Sequence, residues 1–190
     1  MALLTIGPTR FDRAVAEFAE DRATPAAERA LQVLTYAADG SVLLAAAIGF
    51  WALARRHPPR QREASTYLVI NVALSAVLPH LLKALVDQER PDRRVHGFRH
   101  GIPVSGNAQD AFPSGHAVHV GAVVSAISRY FPGLRRVIWP LGLGVAATRI
   151  FLLAHWASDV IAGLALGVAL ERSLWLVWRR ISKGHRQGGV

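Results

Sequence analysis

Five apolar runs, separated by polar or basic punctuation, dominate the chain, and each is close to the roughly 20 residues a helix needs to cross a bilayer. The first covers residues 31–54, apolar apart from Asp39, and stops at Arg55-Arg56-His57, with Arg60 and Arg62 beyond. The second covers 64–85; Pro79, His80 and Lys83 interrupt it, and Pro79 is expected to kink it. A loop rich in Gly, Arg and His occupies 87–112. The third run opens on Pro113-Ser114-Gly115-His116 and reaches Tyr130, where Pro132-Gly133 breaks it. The fourth covers 134–154 and the fifth 158–178, with Arg179, Arg180, Lys183 and Arg186 after it. The pattern predicts an all-α fold, a polytopic membrane helix bundle of five spans.

Before the first run, Phe11, Val15 and Phe18 recur at helical spacing among acidic and basic residues, so 12–21 reads as a short amphipathic helix at the membrane surface, or else as part of a flexible tail. Thr24-Pro25 has the form of a helix start, Thr as N-cap and Pro in the first position. The chain thus divides into an N-terminal segment (1–30), a transmembrane domain (31–178) and a basic cytoplasmic tail (179–190). Small residues such as Gly142, Gly144, Gly163 and Gly167 in the last runs suit close helix packing, within the chain rather than at a dimer face. Glu171-Arg172, inside the fifth run, needs a partner that the sequence does not name.

Composition agrees: 52% hydrophobic and 18% charged residues, with mean hydropathy +0.26, against about 25% charged in an average globular domain. The net charge of +9 raises nucleic acid as a partner, but the basic residues sit in short segments between apolar runs without any recognition motif, so none is expected. The chain has no Cys, which excludes disulfides, thiolate metal sites and a cysteine nucleophile. Its start lacks a signal-peptide pattern, and the first span is expected to serve as the membrane signal. Threading five spans puts the N-terminus, the 87–112 loop and the 154–159 turn on one side. The other side carries Arg55, Arg56, Arg60, Arg62, Arg129, Arg135, Arg136, Arg179, Arg180, Lys183 and Arg186 against Glu63 alone. The positive-inside rule then expects an integral protein of the cell membrane, in a bacterium the inner membrane, with the first side extracytoplasmic.

Three groups of reactive residues come to that first side. Lys83 and Arg90 are seven apart, and a helix running that far would align both cations before Pro91 stops it. Ser114 and Gly115 offer a hydroxyl and backbone N–H groups at a helix N-terminus, with His116 beside them. Arg149, His155 and Asp159 close the fourth run, and if His155 is already helical it shares a face with Asp159 one turn on. Three cations, a helix N-terminus and two histidines suit a phosphoryl group. His155, oriented by Asp159, would attack phosphorus and form a phosphohistidine; His116 would protonate the leaving oxygen; Lys83, Arg90, Ser114, Gly115 and Arg149 would hold the equatorial oxygens. No metal is needed, and zinc on His116, His119 and His155 would be repelled by the cations. Taken singly each group has an ordinary use as a snorkelling cation, a cap or a polar tip, and His80, His96, His100 and His119 are read that way.

Lys83-x6-Arg90-Pro91, Pro113-Ser114-Gly115-His116 and Arg149-x5-His155-x3-Asp159 resemble the three signature motifs of the type 2 phosphatidic acid phosphatase superfamily. That superfamily includes membrane lipid phosphate phosphatases, soluble acid phosphatases, glucose-6-phosphatase and vanadium haloperoxidases. The resemblance implies the same roles: His155 nucleophile, His116 acid, Asp159 partner of His155, and Lys83, Arg90, Ser114, Gly115 and Arg149 the phosphate cradle, with no cofactor. Thr148 stands where the third motif usually begins with Ser, and keeps the hydroxyl. The membrane members often have six spans, so the 11–21 segment is expected to replace the missing helix.

The implied activity is a membrane lipid phosphatase acting on undecaprenyl diphosphate, phosphatidic acid or phosphatidylglycerol phosphate, with membrane lipids its surroundings and its oligomeric state left open. Arg93, Arg94, Arg99 and His100 would grip a second phosphate in a diphosphate, or serve as solvated loop charge. A vanadate-dependent oxidase and a non-catalytic membrane packing or transport protein are the alternatives.

Overall fold

The computed structural model describes residues 3–91 and 109–187, with side chains described to residue 182. Its helices are α1 (Arg10–Asp21), α2 (Pro25–Thr35), α3 (Gly40–Ala54), α4 (Pro59–Lys83), α5 (Gly115–Tyr130), α6 (Arg135–Phe151) and α7 (Ala157–Gln187). Among the described residues, the one strand ladder, parallel and two residues long, sets β1 (Leu4–Thr5) beside β2 (Val86–Asp87).

The helix start expected at Thr24-Pro25 is used: Thr24 accepts from the Ala27 N–H, with Pro25 in the first position of α2. Thr9 and Asp12 form a reciprocal capping box on α1, a start signal the sequence reading did not pick out. Asp39, the lone charge of the first apolar run, breaks that run. Its Oδ1 accepts from the N–H groups of Ser41 (2.9 Å) and Val42 (3.2 Å) and so starts α3 afresh, leaving α2 with its 3₁₀ extension bent 49° from α3. Pro79 lies inside α4, which continues to Lys83.

Among the described residues, α4 and α7 are long and apolar enough to cross a membrane, and the bent α2–α3 pair makes a third if it counts as one span. The expectation of five spans goes further than this. With 16 and 17 residues, α5 and α6 extend about 24–26 Å, short of the roughly 30 Å hydrocarbon core.

The short α5 is the hub, packed against α4, α6 and above all α7. Gly163 and Gly167 make that contact possible: a Cβ on Gly163 would stand 2.6 Å from the Ser114 carbonyl oxygen, and one on Gly167 would run into the Val118 carbonyl. The small-residue spacing is therefore spent inside the chain. Glu171 finds its partners here as well. Fully buried, it accepts from the Tyr67 hydroxyl (3.0 Å), Ser125 Oγ (2.7 Å) and Arg129 Nε (2.6 Å), while Trp175 packs edge to face with Tyr67 and Tyr130.

Candidate active site

The C-termini of α4 and α6 and the N-termini of α5 and α7 meet at one end of the bundle, and the three motif segments meet with them. Lys83 is the last residue of α4. The chain then leaves the helix to pair with β1, so Arg90 is not aligned with Lys83 on a helix, as the spacing suggested. It is placed instead by a second parallel pairing, in which the Gln88 N–H donates to the Gln109 carbonyl (2.8 Å) and the Ala111 N–H to the Gln88 carbonyl (3.0 Å). From there the Arg90 guanidinium donates to the carbonyls of Ala154 (3.0 Å) and Asp110 (3.3 Å).

The third motif turns a corner between helices. α6 ends with the Ala154 N–H bonded to the Arg149 carbonyl (3.1 Å) and the Leu153 N–H to the Ile150 carbonyl (2.9 Å), a Schellman arrangement with Leu153 in the left-handed region at φ 52°. A non-glycine residue there costs about 1–2 kcal/mol. Its burial beside Ala111 and Trp156 offsets this. The His155 N–H also donates to the Arg149 carbonyl (3.2 Å), which ties the cation to the histidine.

α7 starts only at Ala157, so His155 precedes the helix and does not share its register with Asp159. Nδ1 of His155 lies 3.7 Å from Asp159 Oδ2 but 2.7 Å from the Ala111 carbonyl oxygen, to which it donates. That bond fixes the tautomer that leaves Nε2 unprotonated. Asp159 meanwhile closes the first turn of α7, its Oδ2 accepting from the Trp156 N–H (2.8 Å). The expected hydrogen bond between the two side chains is therefore not made, and the Asp159 carboxyl stands 3.7 Å from the ring instead.

His155 is 3% exposed. Burial, then the nearby Arg90, Arg149, Lys83 and His116, hold its imidazole well below the ordinary histidine range, so it is neutral and fit to attack. Around it, Lys83 Nζ lies 3.8 Å from Asp110 Oδ2, and Arg149, 1% exposed, donates to Thr35 Oγ1 (3.3 Å). Ser114 precedes the first residue of α5; its N–H donates to the Asp159 carbonyl (3.2 Å). Ser114 Oγ and His116 Nε2 are buried without a hydrogen-bond partner among the described residues. Leaving such atoms unmet costs about 1–3 kcal/mol each, so both are available to an oxyanion.

Sequence reasoning missed Asp110, the Ala111 carbonyl, Thr35 and Asp12, the last bonded to Ser158 of the same corner. Only Asp110 carried a signal, being a carboxylate just ahead of the second motif. His119, read as structural, pairs with Ser75 Oγ at 2.8 Å. Arg93, Arg94, Arg99 and His100, with His96, lie outside the described residues. A cavity of about 430 Å³ lined by Arg60, Tyr130, Phe131 and Leu134 opens at the far end of the bundle and takes no part in this site.

The sequence profile of the PAP2 superfamily matches residues 64–183, which hold all three motifs. The chain belongs to the PAP2 superfamily. Within that superfamily it is 40% identical over 103 residues to a lipid A 1-phosphatase of Rhizobium etli, a match covering 53% of this chain and 44% of the relative. The chain thus spans about half the length of the curated relatives it matches first. Two crystal structures share the fold: Aquifex aeolicus LpxE (TM-score 0.68, 15% identity, 90% of this chain and 98% of that one) and the transmembrane PAP2 type phosphatidylglycerolphosphate phosphatase of Bacillus subtilis (TM-score 0.64, 20% identity, 90% and 85%). With these neighbours and the apolar helices, the chain is an integral membrane member of the superfamily.

Proposed function

We propose that the protein hydrolyses the terminal phosphate of an amphiphilic substrate whose lipid tail stays in the bilayer, through a phosphohistidine on His155. One observation carries the reading: a buried, neutral imidazole with its Nδ1 tied to a carbonyl, inside a ring of Lys83, Arg90 and Arg149. Nε2 of His155 attacks phosphorus as the bond to the leaving oxygen breaks, and His116 gives that oxygen its proton. Water then attacks the phosphohistidine, His116 takes the water's proton, and the N–P bond breaks to release phosphate. Lys83, Arg90, Arg149, Ser114 Oγ and the Gly115 N–H hold the equatorial oxygens through both steps. Asp159 favours the positive ring that forms when Nε2 bonds to phosphorus.

The site faces the extracytoplasmic side on this reading, supported by the bias of arginine toward the opposite end of the helices. Lipid A 1-phosphate heads the substrate panel, because the Rhizobium relative carries that activity in its name. Undecaprenyl diphosphate, phosphatidic acid and phosphatidylglycerol phosphate follow. The test is phosphate release from this panel by purified protein in detergent with EDTA, beside His155→Ala. Turnover of at least one lipid, insensitive to EDTA and lost in the variant, is the expected result. Activity on none, activity abolished by EDTA, or full activity in His155→Ala would refute the proposal.

A further inference from the structure

Asp12 lies outside the 64–183 region matched by the superfamily, yet it is 1% exposed, and among the described residues every bond its carboxylate makes is to a backbone N–H or a hydroxyl. Oδ1 accepts from the Ser158 N–H (2.8 Å); Oδ2 accepts from Ser158 Oγ (3.0 Å), the Thr9 N–H (2.9 Å) and Thr9 Oγ1 (2.7 Å). Ser158 is the second residue of α7, next to Asp159 and three beyond His155. Two carboxylates therefore close the same helix start, Asp159 from within and Asp12 from α1.

The rest of that face of α1 touches the other holder of the imidazole. Ala16 and Ala19, at i+4 and i+7 from Asp12, are buried in one cluster with Ala111, Leu153 and Trp156. Ala111 supplies the carbonyl for His155 Nδ1, and Leu153 is the left-handed residue that turns the corner. Burial raises the Asp12 carboxyl, but the N–H groups of Ser158 and Thr9 and their hydroxyls lower it by more, so it is ionised below the usual carboxylate range.

We propose that α1 belongs to the catalytic apparatus, with Asp12 a positioning residue that aims His155 by clamping the first turn of α7. The inference rests on His155 being the nucleophile. A displacement of about 1 Å at a reacting atom costs on the order of 100-fold. Asp12→Asn leaves one acceptor for Ser158 but sets an amide NH₂ against the Thr9 donor and removes the charge.

The experiment compares the wild-type chain, Asp12→Asn, Ser158→Ala and Glu17→Gln, the last on the exposed face of α1, with active sites counted by trapped phosphoenzyme. For Asp12→Asn, kcat per active site should fall about 10- to 100-fold. KM and the inhibition constant of inorganic phosphate should stay within about 2-fold, because the cradle cations are untouched. Ser158→Ala, which removes one of the four bonds, should lose about 3- to 10-fold in kcat at unchanged KM and reads the same effect should Asp12→Asn not fold. Glu17→Gln should match wild type. A purely structural clamp would lower the unfolding temperature and the number of active sites with kcat per site unchanged, and that result in either clamp variant overturns the proposal. Failure of the nucleophile reading is distinguishable, since His155→Ala would then keep wild-type turnover.

Discussion

Asp159→Asn separates two ways in which a carboxylate can serve a histidine nucleophile. In a catalytic triad whose carboxylate holds Nδ1–H directly, the Asn variant costs about 10⁴ in kcat because the amide fixes the wrong tautomer. Here the Ala111 carbonyl accepts from Nδ1 at 2.7 Å and Asp159 stands back at 3.7 Å, so the tautomer survives the substitution. What is lost is attraction between the carboxylate and the ring as it turns positive. At 3.7 Å and an effective dielectric constant of about 20 this is at most about 4.5 kcal/mol, or about 10³ in rate. The Asn oxygen still accepts from the Trp156 N–H, so α7 keeps its first turn and KM should hold within about 2-fold. Rapid-quench measurement of phosphoenzyme formation, at saturating lipid phosphate, reads the step itself. A loss near 10⁴ or beyond would mean that Asp159, not Ala111, sets the tautomer. A loss under about 5-fold would mean that its charge does not reach the ring, and either result refutes the reasoning.

Arg149→Lys should lower kcat/KM by about 10²- to 10³-fold, because a point charge replaces a buried planar fork of donors; steady-state kinetics that stay within 5-fold of wild type would remove Arg149 from the cradle. Glu171→Gln should destabilise by about 3–5 kcal/mol, since it strips the buried partner of Arg129, while kcat per folded molecule stays within about 2-fold because the network sits at the far end of the bundle. Denaturation in detergent and specific activity check the two halves of that statement. His155 makes stability pH-dependent: the unfolded chain binds its proton near pH 6.5 while the folded chain resists it, so the stabilisation is complete above about 6.5 and falls away as the pH drops toward the lowered folded value. Between pH 7 and 5 the slope of unfolding free energy against pH should be shallower for His155→Asn than for wild type, and equal slopes would count against a buried neutral imidazole.

The grouping of the three motifs was legible because it resides in residue types at short spacing. Ser114-Gly115-His116 had to open a helix once Pro113 preceded it, and α5 does begin there. Helix continuity is a different matter, since apolar periodicity does not say where a backbone will leave the helix. Asp39 was readable as a lone charge in a span, but its side chain gains more by accepting two N–H groups of the next helix than by riding inside one, and it splits the run. Lys83 and Arg90 have helical spacing, yet the chain gains ladder bonds to residues 3–6 and 109–111 by unwinding between them. His155 and Asp159 have it too, and the Schellman corner at Leu153 spends those residues on turning the chain. Each departure trades a helical bond for a long-range one, which local pattern cannot register. The bond from Asp12 to Ser158 spans 146 residues and is the extreme case. Both of its ends have adequate local roles, a capping box and a helix start, and only packing of α1 on the corner joins them. Substituting Asp12 is therefore the sharper probe of the tertiary arrangement, because the sequence pattern alone assigns that residue nothing beyond the polar face of a short amphipathic helix.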